Sequence, residues 1–238
     1  MKIISIIINV FLLAVVILLF IKGDFWDRSK NFTYTKLDVK DKYNYKMNKF
    51  YKIKTDQFMS YNVQAKISML GDSMTEFTHW NELLGRKDVV NRGISGDITE
   101  GMLNRLENII KVQPKYCFFM GGINDIIYNV SYEKTIDNIE SITKELRQEG
   151  ITPVLQTIIY TGRSFRNCQT INILVARLNE GIKIIAEKNS CFYLDINNGL
   201  TEQGILKDQF TYDGLHLNAE GYKVWGCFIS EFLISQEE

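Results

Sequence analysis

The chain has 238 residues, 45% of them hydrophobic and 12% aromatic, which is enough for one packed domain with a short appendage. Its 28 basic and 28 acidic residues cancel, so no global field draws it toward nucleic acid, and nucleic-acid binding is disfavoured. Two histidines, His79 and His216, and the scattered Cys117, Cys168, Cys191 and Cys227 form no CxxC or HxxxH pair, so no metal site and no cofactor is expected.

From Ile3 to Ile21 the chain runs nineteen residues without a charge, long enough to cross a bilayer as a helix. The run ends in Phe20-Ile21-Lys22-Gly23-Asp24 rather than in a small-x-small cleavage site, so residues 1–22 read as an uncleaved membrane anchor in preference to a cleaved signal. Lys2 precedes the span while Lys22, Arg28, Lys30 and Lys36 follow it, which opposes export, yet large C-terminal domains translocate largely regardless of charge. The expected location of the rest of the chain is therefore extracytoplasmic. Residues 23–60 read as a polar tether followed by a leading helix, in which Met47, Phe50, Tyr51, Phe58 and Met59 have loose helical spacing.

Residues 61–238 carry an alternating pattern. An apolar run over 66–70 ends at Gly71, and a helix is predicted over 74–84 before Gly85. A second strand follows over 88–91, then one helix with Ile98, Met102, Leu103, Leu106, Ile109 and Ile110 on a single face. A third strand covers 116–120, a helix 132–148, a fourth strand 152–159, a helix 171–187, a fifth strand 191–195 and a last helix 219–234. Five short apolar strands separated by helices predict an α/β fold: a three-layer αβα sandwich around a parallel five-stranded sheet. With strand order 2-1-3-4-5, Ser73 after the first strand and Asn124 after the third become neighbours where the order reverses, the usual ligand position in such sheets. Cys117 and Cys191 fall in strand-like runs, where a thiol acts as a small core hydrophobe, and the spacing leaves disulfide pairing open.

Four short motifs supply chemistry in chain order: Gly71-Asp72-Ser73, Ser95-Gly96-Asp97, Gly122-Ile123-Asn124-Asp125 and Asp213-Gly214-Leu215-His216. A serine hydroxyl becomes a nucleophile when an oriented imidazole takes its proton. Ser73 sits at a strand-to-helix turn, where it could instead only cap the helix. His216 lies three residues after Asp213, close enough in a helix-like turn for the carboxylate to orient the ring. His79 falls on the helix that Ser73 opens and points along it, which suits a surface or packing role. Gly96 offers a closely approachable N–H and Asn124 a side-chain amide, both of which could serve a tetrahedral oxyanion; taken singly, each equally suits a turn or a cap.

The joint set, with Gly-Asp-Ser-Met, Asn91-Arg92-Gly93-Ile94-Ser95-Gly96-Asp97, Gly-Ile-Asn-Asp and Asp-Gly-Leu-His-Leu-Asn followed by Gly221-Tyr222 and Trp225, resembles the SGNH hydrolases, or GDSL esterases and lipases. It looks closest to the branch similar to platelet-activating-factor acetylhydrolase, and the resemblance covers about residues 60 to 235. It implies a flavodoxin-like fold with Ser73 as nucleophile, His216 as base and then acid, Asp213 orienting the ring, and Ser73 N–H, Gly96 and Asn124 as oxyanion hole. Met74 stands where the family name has leucine. The expected activity is hydrolysis of a short acyl ester, such as an acetyl on a carbohydrate or envelope glycan. Acyl transfer to a sugar acceptor and lysophospholipase activity use the same residues, and a non-enzymatic glycan-binding module is disfavoured because every motif position is filled. Loop residues 160–169, with Arg163 and Arg166, are candidates to meet a polar substrate or to be solvated.

Overall fold

A computed structural model describes residues 43–236; the expected anchor and most of the expected tether lie outside the described residues. No helix among the described residues is long and apolar enough to cross a membrane. A single 3-10 turn, Tyr45–Met47, leads into α1 (Lys49–Ser60). The sheet is then laid down by β1 (Ile67–Gly71), β2 (Val89–Gly93), β3 (Tyr116–Met120), β4 (Thr152–Gln156) and β5 (Phe192–Leu194), all parallel and in the order β2-β1-β3-β4-β5. This is the predicted three-layer arrangement.

The two-residue period of the strands divides the core between two faces. Tyr116, Phe118 and Met120 of β3 join Ile67 and Met69 in a cluster with Trp225, Ile229 and Leu233 of the last helix, α10 (Ala219–Ser235). Cys117 and Phe119 join Leu70 and Leu155 on the opposite face, under Ile139, Ile142 and Leu146 of α7 (Tyr132–Gln148) and Val175, Leu178 and Ile182 of α8 (Cys168–Lys188). The strands are mostly apolar because both faces are covered, with Ser68, Asn91, Arg92 and Gln156 among the polar exceptions.

Three predicted elements are interrupted, two of them where a side chain competes for backbone hydrogen bonds. The helix expected over 74–84 is two short pieces, α2 (Ser73–Glu76) and α3 (Trp80–Leu83). Asn91 of β2 donates its amide to Thr75 O, Glu76 O and Thr78 O at 2.9, 3.2 and 3.0 Å, capturing carbonyls that a continuous helix would use. The helix expected to start near Ile98 is α4 (Thr99–Asn104) and α5 (Glu107–Ile110), which part at Arg105, whose guanidinium turns into the interior. The fourth strand stops at Gln156 rather than residue 159, because Asn179 accepts from Ile158 N at 2.7 Å and donates to Ile158 O at 2.9 Å. A further helical turn, α6 (Ile123–Ile127), follows β3, and α9 (Asn197–Leu200) precedes a small unpredicted hairpin of β6 (Thr201–Glu202) and β7 (Ile205–Leu206).

Candidate active site

Ser73 opens α2 immediately beyond β1, and the helix is capped by its neighbour: Asp72 Oδ1 accepts from Met74 N at 2.9 Å. The hydroxyl of Ser73 is therefore not needed as a cap. Ser73 Oγ lies 3.0 Å from His216 Nε2, across 143 residues of chain. Tyr222 of α10 donates to Met74 O at 2.8 Å, which ties this turn to the helix that follows His216.

Asp213 and His216 sit in an irregular loop, not in the helix-like turn expected from their spacing. The loop is closed by a bridge between Thr211 and Leu217. Asp213 Oδ1 accepts from Leu215 N at 2.8 Å and His216 N at 2.7 Å, leaving Oδ2 to meet His216 Nδ1 at 2.7 Å. Thr211 Oγ1 donates to His216 O at 2.7 Å and accepts from Gly214 N at 2.9 Å, so a residue not singled out from sequence fixes both ends of the loop. Burial raises the Asp213 carboxyl, but the imidazole and the two N–H donors outweigh it and hold the group below the usual carboxylate range.

The remaining two motifs converge from the ends of β2 and β3, which flank β1 on either side. Gly96 has φ +75°, a conformation glycine adopts without strain. The N–H groups of Ser73 and Gly96 donate to no acceptor among the described residues. Asn124 Nδ2 donates one proton to Asp97 O at 2.9 Å, and a primary amide retains a second. Two buried carboxylates brace this rim. Asp97 Oδ2 pairs with Arg105 Nε at 2.7 Å, and the same guanidinium donates to Arg92 O and Gly71 O at 2.8 and 3.0 Å, joining the ends of β2 and β1. Burial pushes Asp97 up to about 6, against the pull of Arg105. Asp125 accepts from Thr99 N and Thr99 Oγ1 at 3.0 and 2.5 Å, and burial raises it too.

Ser73, Asp213 and His216 are thus linked by hydrogen bonds, while Gly96 lies in the turn after β2 and Asn124 in α6 after β3, with the Asn124 amide bonded to Asp97 O beside Gly96. His79 does not join them. It stands at the N-terminus of α3, its side chain 82% exposed and 3.7 Å from Glu82. Arg163 and Arg166 are exposed. The four cysteines are free thiols, with Cys117 buried in β3 and pushed up to about 12, while Cys191 lies just outside β5 and is half-buried. Arg105 and Thr211 were missed because a partner eight or five residues away leaves no local pattern.

The GDSL-like Lipase/Acylhydrolase family model matches residues 69–224. The chain belongs to that family. The family's description, lipase and acylhydrolase, is that of enzymes that cleave acyl esters. It is 30% identical over 161 residues to the N-acylneuraminate cytidylyltransferase of Streptococcus agalactiae, a match covering 67% of this chain and 37% of that protein. The GDSL-like chain therefore spans little more than a third of that relative. It is also 27% identical over 169 residues to platelet-activating factor acetylhydrolase IB subunit alpha1 of Bos taurus, covering 67% of this chain and 71% of that one. A GDSL-like lipase from Bacteroides thetaiotaomicron shares the fold with a TM-score of 0.69 at 20% identity, over 78% of this chain and 98% of the other.

Proposed function

We propose that the protein is a serine-dependent carboxylic ester hydrolase for short acyl groups, acting on acetyl esters of a carbohydrate or envelope glycan. The observation that carries this reading is the unbroken contact from Ser73 Oγ through the His216 ring to Asp213, 3.0 Å on one side and 2.7 Å on the other. A relay of this geometry is what acyl transfer from an ester requires.

In the proposed reaction His216 Nε2 takes the Ser73 hydroxyl proton as Oγ forms a bond to the ester carbonyl carbon. The carbonyl π pair moves onto oxygen, where the N–H groups of Ser73 and Gly96 and the free amide proton of Asn124 receive it. Each such donor lowers the barrier by roughly 3 to 4 kcal/mol. The intermediate then expels the alcohol, which leaves with the proton from His216, and the acyl group stays on Ser73. Water attacks this ester with its proton passing to His216, and collapse returns the acid and the free serine. Asp213 remains ionised throughout, in keeping with its depressed carboxyl, and stabilises the imidazolium formed in each half.

The substrate class draws on the names of two relatives, one an acetylhydrolase and the other a cytidylyltransferase of N-acylneuraminate. The uncharged run over residues 3–21 is proposed to anchor the chain in a membrane, with the hydrolase outside the cytoplasm. The test is turnover of p-nitrophenyl esters by the 238-residue chain across acyl lengths, followed by acetylated glycans. Acetate is expected to be cleaved faster than long acyl chains, and Ser73→Ala to lose at least about 10³-fold in kcat. Equal turnover by Ser73→Ala would refute the mechanism; a preference for long chains would move the substrate toward lipid.

A further inference from the structure

Ser95 and Gly96 are the central residues of a β-turn in which Asp97 N donates to Ile94 O at 3.1 Å. Gly96 has φ +75° whereas Ser95 keeps a negative φ, the mark of a type II turn. Such a turn passes to type I by rotating its one central peptide, and a glycine in the third position offers that rotation little resistance. A trans peptide is planar and points its C=O and N–H in opposite directions. Turning the Ser95 carbonyl therefore turns the Gly96 N–H away from the site.

The carbonyl is held from a distant part of the chain. Asn48 Nδ2 donates to Ser95 O at 2.7 Å, while Oδ1 of the same side chain accepts from Phe50 N at 3.0 Å and caps α1. Two more contacts secure the turn from the same side. Tyr43 Oη donates to Gly96 O at 3.0 Å, with its ring stacked on Tyr128 at 3.8 Å between centroids. Ser95 N donates to Glu76 Oε2 at 2.6 Å, and Glu76 pairs with Lys54 of α1 at 2.6 Å. Meanwhile Met47, Phe50 and Ile53 are 70%, 58% and 54% exposed, so around the buried Tyr45 ring these polar contacts help fasten the start of α1.

We propose that Asn48 is a positioning residue for oxyanion binding: by gripping the Ser95 carbonyl it keeps the turn in its type II state and aims the Gly96 N–H. The inference rests on the reading of Gly96 N–H as an oxyanion donor. The hydrogen bond to Ser95 O also polarises the shared peptide and makes its N–H a stronger donor. Tyr43 secures the next peptide of the turn. The segment leading into the hydrolase domain is thereby part of the support of its active site.

Asn48→Asp and Asn48→Ser in the 238-residue chain separate the two uses of the side chain, since both keep an oxygen that caps α1 and both lose the amide donor. On p-nitrophenyl acetate, kcat is expected to fall about 10-fold, less than the 10²–10³ of a deleted donor because the N–H remains and is only misaimed. KM should stay within about twofold and the thermal midpoint within about 2 °C, a split that a merely structural role would not produce. Wild-type kcat in both variants, with Ser73→Ala inactive, would overturn the inference and leave the hydrolase reading standing. A kcat loss found only with a lowered midpoint would overturn it as well, by making Asn48 a fastener of α1. Full turnover by Ser73→Ala would remove both readings.

Discussion

Asp72 is wholly buried next to the proposed nucleophile, yet only one of its oxygens is engaged. Oδ1 caps α2, whereas Oδ2 has no hydrogen-bond partner among the described residues. The carboxyl lines a cavity of about 10 Å³ whose other walls are Met74, Met120, Gly121, Ile123, Ile158, Ile159 and Leu215. An ionised carboxylate is poorly accommodated in such surroundings, and burial pushes Asp72 up to about 7, helped by the nearby charges of Asp97 and Asp125. A carboxyl whose folded value is raised above its unfolded one binds its proton more tightly when folded. Its contribution is fully present below the unfolded value near 3.8 and is lost as the pH rises toward about 7. The thermal midpoint is therefore expected to be higher at pH 5 than at pH 8, with a slope on the order of 1 kcal/mol per pH unit. Asp72→Asn, measured by calorimetry at both values, should shrink that difference. A variant with an undiminished pH dependence would show that Asp72 is ionised in the fold.

The element that carries Ser73 is only four residues long, too short to be stable by itself, and its placement is enforced by two glycines. A side chain at Gly71 would set its Cβ 2.1 Å from Thr75 Oγ1 and 2.6 Å from Met120 O. One at Gly93 would meet Glu76 N at 2.3 Å. The helix thus lies directly on the ends of β1 and β2, which are paired at Gly71 and Gly93. Gly71→Ala must displace Thr75 of α2 and also part the paired ends of β1 and β3, because the obstructing Met120 oxygen is strand backbone and cannot swing aside. The expected outcome is a loss of about 1 to 3 kcal/mol in denaturant unfolding, together with a fall in kcat larger than that of a destabilised variant remote from the site. Wild-type stability and turnover in Gly71→Ala would show that α2 is not seated by close contact. Asn91 belongs to the same device, since its amide occupies the carbonyls freed where the chain leaves α2.

At the scale of the whole molecule, what was legible in the sequence is what local order encodes. Apolar runs of five or so residues between helices disclosed the sheet, and the ordered motifs disclosed which strand ends face the site, because topology alone brings residues after β1, β2 and β3 together. Breaks such as Phe77 to His79 were not legible: they depend on Asn91 reaching across from another element, and no periodicity records that. The braces Arg105 and Asn48 escaped for the same reason, each acting on a backbone group distant in sequence, while the contacts of Thr211 fall within an irregular loop that has no periodicity to record them. The central claim is that Ser73 is the one hydroxyl made nucleophilic by this arrangement. An alkyl fluorophosphonate added to the 238-residue chain, followed by intact mass and peptide mapping, tests it most directly. The account predicts a single adduct on Ser73, absent in Ser73→Ala and formed at least about 10²-fold more slowly in His216→Asn. Labelling at another residue, or esterase activity that persists with Ser73 unlabelled, would contradict it.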